Sequence, residues 1–298
     1  MRIILSILLI LFSGFNSNCR KPTRAASAAE PPLVSSAIKP VSVNMLDAKV
    51  NETSGLIFFD NSFWTINDSG NENILYRIDA KTGSVSAEIK ITGSQNIDWE
   101  ELSQDQDYVY IADIGDNSLK RDEKQIYKVR KSDILQIKGS GDVNSEVIRF
   151  SYPEVEGKPG HYDAEALFAY KGELHLFTKD LFETNHFTLA TQPGTSTARF
   201  IEKYKSEGMV TGAAFDASDN TLILVGYMGF GDRLLWAFKT SDDNHFFSLA
   251  AKSFTMGSVT ETGQVEAVCL SPERKLYLTN ESFGTVKQQL WTVSYPVK

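Results

Sequence analysis

Short apolar runs alternate with polar ones along most of this chain, and one arrangement of them recurs five times. Each unit opens on a tetrapeptide: Thr53-Ser54-Gly55-Leu56, Trp99-Glu100-Glu101-Leu102, Ala164-Glu165-Ala166-Leu167, Val210-Thr211-Gly212-Ala213 and Val265-Glu266-Ala267-Val268. A β-branched and aromatic run follows in each: Phe63–Ile66, Tyr108–Ile111, Leu174–Phe177, Leu222–Val225 and Leu276–Thr279. Such runs read as strands. A polar or Gly-rich turn comes next, and then a third strand carrying an aromatic: Tyr76, Tyr127, Phe187, Trp236 and Trp291. Several strands per unit at a period of roughly 45 to 65 residues predict a β-propeller.

The last unit has room for only three strands, Val265–Leu270, Leu276–Thr279 and Gln289–Ser294. Its fourth is expected from the start of the domain, around Val41–Val50, which closes the ring and removes free sheet edges. The fold class is therefore all-β, a five-bladed propeller of four-stranded blades. Six blades is the alternative, because the interval from Glu100 to Glu165 is the longest and Lys131–Ser145 has room for a further hairpin. That stretch lacks the opening tetrapeptide and is read as a fourth strand with a loop.

In a propeller the first strand of each blade lines the channel, so equivalent positions face one axis. The second tetrapeptide residues are Ser54, Glu100, Glu165, Thr211 and Glu266. Three carboxylates sharing a narrow tunnel repel by several kcal/mol per close pair at an effective dielectric of about 20. Either protons stay on them or a cation sits among them. An all-oxygen donor set favours a hard cation, Ca²⁺ ahead of Mg²⁺. The competing readings are that these residues bind channel water or cap blade ends. Asp98 and Glu101 flank the ring.

Bulk properties change this picture little. An apolar content of 42% and a charged content of 23% are those of a globular protein. The net charge of −8 offers no basic stripe for a nucleic acid. The N-terminus adds a compartment. Met1-Arg2, the apolar run Ile3–Phe12 and small polar residues before Cys19 read as an export signal over residues 1–19, with Cys19 as the lipidation site. The usual lipoprotein motif wants a small residue, then Gly or Ala, before the cysteine, and Asn16-Ser17-Asn18 departs from it. Residues 20–40, rich in Ala, Ser, Pro, Lys and Arg, read as a flexible tether, and 41–298 as the propeller. The expected location is the bacterial cell envelope, lipid-anchored or secreted, with the anchor as the only membrane contact. Cys269 lies in an apolar strand and reads as a small buried hydrophobe.

The ring resembles that of the calcium-activated nucleotidase (apyrase) family of five-bladed propellers, in which a similar Ser, Glu, Glu, Ser, Glu set surrounds a channel calcium. Thr211 is the one departure. Tyr108–Gly115 and His161–Ala166 are similar to that family's second and third blades. Glu52–Leu56 with Trp64–Asn71, and Asp98–Leu102 with Asp113–Asn117, also resemble a group of secreted, uncharacterised bacterial propeller proteins. The first resemblance implies calcium and phosphohydrolase activity; the second implies fold and compartment.

The loops after each second strand place Asp68, Asp113, Lys179, Arg233 and Glu281 at the expected channel mouth. A calcium with Lys179 and Arg233 nearby could hold a pyrophosphate, but acids outnumber bases there, which disfavours an anionic substrate. No G-x-S-x-G elbow or Gly-rich phosphate loop occurs, and the four histidines lack metal-ligand spacing. Three functions stay open: a calcium-stabilised monomeric module binding an unknown ligand or protein at one face, a calcium-dependent phosphohydrolase, and a purely structural envelope protein.

Overall fold

The computed structural model describes residues 34–229, 231–240 and 244–294. The expected signal segment and Cys19 lie outside these. The described chain begins with β1 (Val34–Ala37) and β2 (Val41–Met45). Blade 1 follows as β3 (Thr53–Phe59), β4 (Ser62–Asn67), β5 (Ile74–Ile78) and β6 (Val85–Thr92). Blade 2 contains β7 (Trp99–Gln104), β8 (Tyr108–Asp113) and β9 (Lys124–Arg130); after helix α1 (Lys131–Gln136) and strand β10 (Ser140–Asn144) it ends with β11 (Glu146–Ser151). Blade 3 is β12 (Ala164–Tyr170), β13 (Glu173–Thr178), β14 (Thr184–Ala190) and, after β15 (Gly194–Thr197), β16 (Arg199–Tyr204). Blade 4 is β17 (Met209–Asp216), β18 (Thr221–Tyr227), β19 (Asp232–Lys239) and β20 (Lys252–Ser258). A short helix, α2 (Val259–Thr262), leads to β21 (Gln264–Leu270), β22 (Leu276–Glu281) and β23 (Gln289–Val293) of blade 5.

Five sheets result, and the chain is a five-bladed β-propeller. The ring closes as expected: β2 pairs antiparallel with β23, from Val41 opposite Thr292 to Met45 opposite Gln289. The repeated third-strand aromatics Tyr76, Tyr127, Phe187, Trp236 and Trp291 are all buried, and each belongs to an apolar cluster.

The stretch 131–145 differs from the expected loop and fourth strand. It forms α1 and β10, and β10 pairs in parallel with β6 of blade 1, Ser140 opposite Glu88 through Asn144 opposite Thr92. The fourth strand of blade 2 is β11. Its register on β9 explains the choice: Ile148 and Phe150 are buried on one face while Arg149 between them points outside.

The same device recurs around the ring. β15 pairs in parallel with β11, and β1 with β20. The expected tether therefore overlaps the fold at Val34–Ala37, which covers the outer edge of blade 4. At the other two junctions a turn replaces the strand. Phe246 and Phe247 donate their N–H groups to Glu202 of β16 (2.6 and 3.2 Å). Asn44 Nδ2 of β2 donates to Ala80 O (2.9 Å), before the last strand of blade 1. Each connection from third to fourth strand thus leans on the preceding blade and covers its outer edge.

Blade 3 buries two histidines completely, with His175 Nδ1 3.0 Å from His186 Nε2. Burial drives both imidazole pKa values down to about 3. An unfolded histidine titrates near pH 6.5. Between these values the unfolded chain holds protons that the folded chain does not, so stability rises with pH. The two histidines' own contribution to stability should fall as pH drops from about 6.5 towards 3, by up to about 1.4 kcal/mol per pH unit per histidine, and it is read as the difference between melts of the parent protein and the variant below. His175→Phe should flatten that slope relative to the parent protein.

Candidate functional site

Every first strand carries a β-bulge at the repeated tetrapeptide. Two residues oppose one at Ser54-Gly55 against Ile66, Glu100-Glu101 against Ala112, Glu165-Ala166 against Phe177, Thr211-Gly212 against Val225, and Glu266-Ala267 against Thr279. A bulge inserts a residue and re-aims its side chain. The recurring sequence element is therefore a bulge, not the plain alternation assumed from the strand period. In blade 1 the second bulge residue, Gly55, has φ +69°, and a Cβ there would lie 2.8 Å from the Glu101 carbonyl carbon.

The five ring residues are all buried, but they divide by chemistry. Ser54 Oγ donates to Glu100 O of the next blade (2.5 Å), and Thr211 Oγ1 donates to Val265 O of the next blade (2.8 Å). Both hydroxyl protons thus tie blades together. The three glutamates feel one another. Burial first, and Glu165 second, push the Glu100 pKa well above the usual carboxylate range. Burial likewise raises Glu165, against the pull of Lys179. Glu266 is pushed up to about 8 by burial and then by Glu281, and Glu281 to about 8 by burial and then by Asp68.

Lys179 answers part of this charge. It leaves the end of β13 and forms an ion pair with Glu165. Burial alone would lower its pKa, but Glu165, Tyr227 and Glu266 together raise it. The other half of the mouth has a different composition. Oxygens of Asp68, Asp98 and Glu100 all lie within 4.8 Å of one another. Asn96 Nδ2 fixes the Asp68 segment by donating to Asn67 O (3.0 Å) and Asp68 O (2.9 Å). Asp98 is held through its own N–H to Asp113 Oδ1 (3.1 Å), and Gly115 N donates to Asp98 O (3.2 Å). Any side chain at Gly115 would run into the Glu100 and Asp98 carboxylates. The Asp98 pKa is pushed up to about 6 by burial, then by Asp68 and Asp163; burial also raises Asp68.

Of the five mouth candidates, Asp68, Lys179 and Glu281 stand in this network. Asp113 and Arg233 do other work. Asp113 is fully buried, ion-paired with Arg121 (2.8 Å), and accepts from Gln125 Nε2 (3.1 Å). Arg233 donates to Gly263 O (2.7 Å) and Gly229 O (3.2 Å), and its guanidinium lies 4.7 Å from the Tyr227 ring centre. Both hold loops, a role that loop position alone does not reveal.

Glu101 is the residue that sequence reasoning undervalued. It is completely buried, and its carboxylate accepts from Leu102 N (2.9 Å) on its own blade and Ala213 N (3.2 Å) on blade 4. The Leu56 N–H of blade 1 contributes as well, while burial still drives its pKa well above normal. A separate cavity of about 130 Å³ is lined by Leu56, Leu102, Ser103, Gln104, Ala213 and Cys269 among others. Glu101 thus joins blades 1, 2 and 4 through their backbone N–H groups. The doubled Glu100-Glu101 was the available signal: in a bulge both neighbours can turn inward.

Comparison with family models finds no match, and comparison with curated proteins finds none either. Solved structures do match. A glutaminyl cyclase from Myxococcus xanthus has a TM-score of 0.52 at 11% identity, over 89% of this chain and 98% of that one. The PQQ-bound aldose sugar dehydrogenase of Streptomyces coelicolor gives 0.49 at 14% identity, over 89% and 100%. The soluble aldose sugar dehydrogenase of Escherichia coli, in its apo form, gives 0.48 at 12% identity, over 87% and 99%. The likeness is one of fold.

Two substitutions test the axial geometry. Glu101→Gln turns one acceptor into a donor facing backbone N–H groups and should cost about 1–3 kcal/mol. Gly55→Ala forces a Cβ into the neighbouring bulge and should cost about 2 kcal/mol or more. Both are read as a lower Tm, and an unchanged Tm for Glu101→Gln would mean that its carboxylate does not bridge the blades.

Proposed function

We propose that this chain is an exported, lipid-anchored, monomeric propeller that holds Ca²⁺ in its channel mouth and uses that face as a binding module. The observation that carries this reading is the approach of the Asp68, Asp98 and Glu100 oxygens to within 4.8 Å of one another. Three carboxylates at that spacing, in partly excluded solvent, are stabilised by a divalent cation more than by any rearrangement among themselves. The all-oxygen donor set and the irregular geometry suit Ca²⁺ better than Mg²⁺, which demands a near-octahedral shell. Gly115 supports the reading too, because the absence of a side chain there leaves the cluster its space.

The reading moves the metal within the mouth. Of the five ring residues, Glu100 joins the cluster, whereas Glu165 already has the ammonium of Lys179. The ligands are then Asp68, Asp98 and Glu100, and Lys179 neutralises the far side. Export and lipidation rest on the N-terminal pattern ending at Cys19.

Phosphohydrolysis is the weaker reading. It needs cations free to meet a transferring phosphate. Arg121 and Arg233 donate to backbone carbonyls, and Lys179 is committed to Glu165.

Calcium at about 100-fold excess over its Kd should stabilise the fold by about 2.7 kcal/mol. That corresponds to a rise in Tm of roughly 5–10 °C. Glu100→Gln should remove the rise and Glu165→Gln should retain it. No calcium-dependent shift in the parent protein rejects the metal site. Lys179→Met leaves Glu165 and Glu266 without their counter-charge and should increase the stabilisation by calcium.

A further inference from the structure

The residues around the 130 Å³ cavity all come from first strands, among them Leu56 of β3, Gln104 of β7, Phe168 of β12, Phe215 of β17 and Cys269 of β21. In a propeller only the axis is reached by the innermost strand of every blade, so this cavity is axial. Its lining residues follow the bulge in each strand. Asp68 and Asp98, by contrast, stand by the strand starts, next to Asn67 and Trp99. The cavity and the acidic mouth therefore occupy opposite ends of the axis.

The two ends differ in chemistry. No residue lining the cavity carries a charge. Burial raises the Cys269 pKa well above normal, so its thiol stays neutral. Phe168 and Phe215 stack with ring centres 5.3 Å apart and planes at 13°, and both line the cavity. Gln104 brings one polar atom that the fold does not use. Its Nε2 donates to Phe58 O (2.9 Å), which fixes the amide's orientation. Its Oε1 is buried with no hydrogen-bond partner among the described residues. A buried acceptor without a donor is destabilising unless a group from outside the chain supplies the N–H or O–H.

We infer that this cavity binds a small neutral aromatic molecule carrying one N–H or O–H donor, with the donor on Gln104 Oε1 and the ring against Phe168 and Phe215. The size agrees, since an apolar cavity of about 150 Å³ holds benzene. A charged ligand would find no opposite charge in the lining and would lose its hydration. The inference does not rest on the calcium reading, because it uses neither the mouth nor its carboxylates.

Calorimetric titration of the protein tests it, with benzamide as the N–H donor and benzyl alcohol as the O–H donor. Saturable binding of either, with the same affinity in calcium and in EDTA, supports the site. Acetophenone has the shape of benzamide with a methyl in place of the NH₂, and it should bind about tenfold more weakly. Gln104→Met keeps the side-chain length, removes the acceptor and should erase that preference. Benzoate, the anionic control, should not bind. Absence of saturable binding by both donors overturns the inference and leaves water as the partner of Gln104. Equal affinity of the parent protein for benzamide and acetophenone also overturns it, as does a preference that survives Gln104→Met or benzoate binding as tightly as benzamide. The calcium shift in Tm is a separate measurement, so either reading can fail while the other stands.

Discussion

Five first strands converge on one axis, so whatever each presents there meets the others at close range and partly out of water. Charge is the constraint that the centre of this molecule must satisfy. The chain places Glu100, Glu165 and Glu266 at equivalent bulges and adds Asp68 and Asp98 from neighbouring loops and Glu281 from the end of β22. No arrangement of these groups alone lowers their repulsion far. Burial, and after it the charge of neighbouring carboxylates, raises their proton affinities. Lys179 resolves the repulsion on one side, and the opposite side is left suited to a mobile cation.

The rest of the fold is organised so that this centre can exist. The small or uncharged members of the ring, Ser54 and Thr211, tie one blade to the next by hydrogen bonds to backbone carbonyls. Glu101 fixes three blades through backbone N–H groups. At the periphery, each connection between third and fourth strand reaches back to the preceding blade. Strands β10, β15 and β1 do this by parallel pairing, and the Phe246-Phe247 and Ala80–Gly83 turns do it by hydrogen bonds. A ring of separate sheets is thereby joined at both its inner and outer edges, which limits how far the blades can separate under axial repulsion.

Much of this was legible in the chain. Alternation of side chains and the repeated tetrapeptide were enough for blade number and order, and for the closing strand near Val41, because a period-2 pattern and a repeat survive without knowledge of neighbours. The convergence of Glu100, Glu165 and Glu266 followed from the same repeat. For Asp113, at the end of β8, and Arg233, in β19, position along the chain says that a charged group is near the mouth, not which guanidinium or carbonyl already engages it. The strand β10 was missed because its partner, β6, lies in another blade, and parallel pairing across blades leaves no local turn signal.

The sequence by itself determined the architecture and the kinds of atoms that gather on the axis. Both depend on local periodicity and on a repeat that any one unit reveals. Only the tertiary structure decided how those atoms divide: Glu165 to Lys179, Glu101 to backbone N–H groups of three blades, and Glu100 to Asp68 and Asp98. Each of those partners comes from a different turn or blade. Their distances are set by how five twisted sheets pack around a centre, and no single stretch of chain encodes that packing.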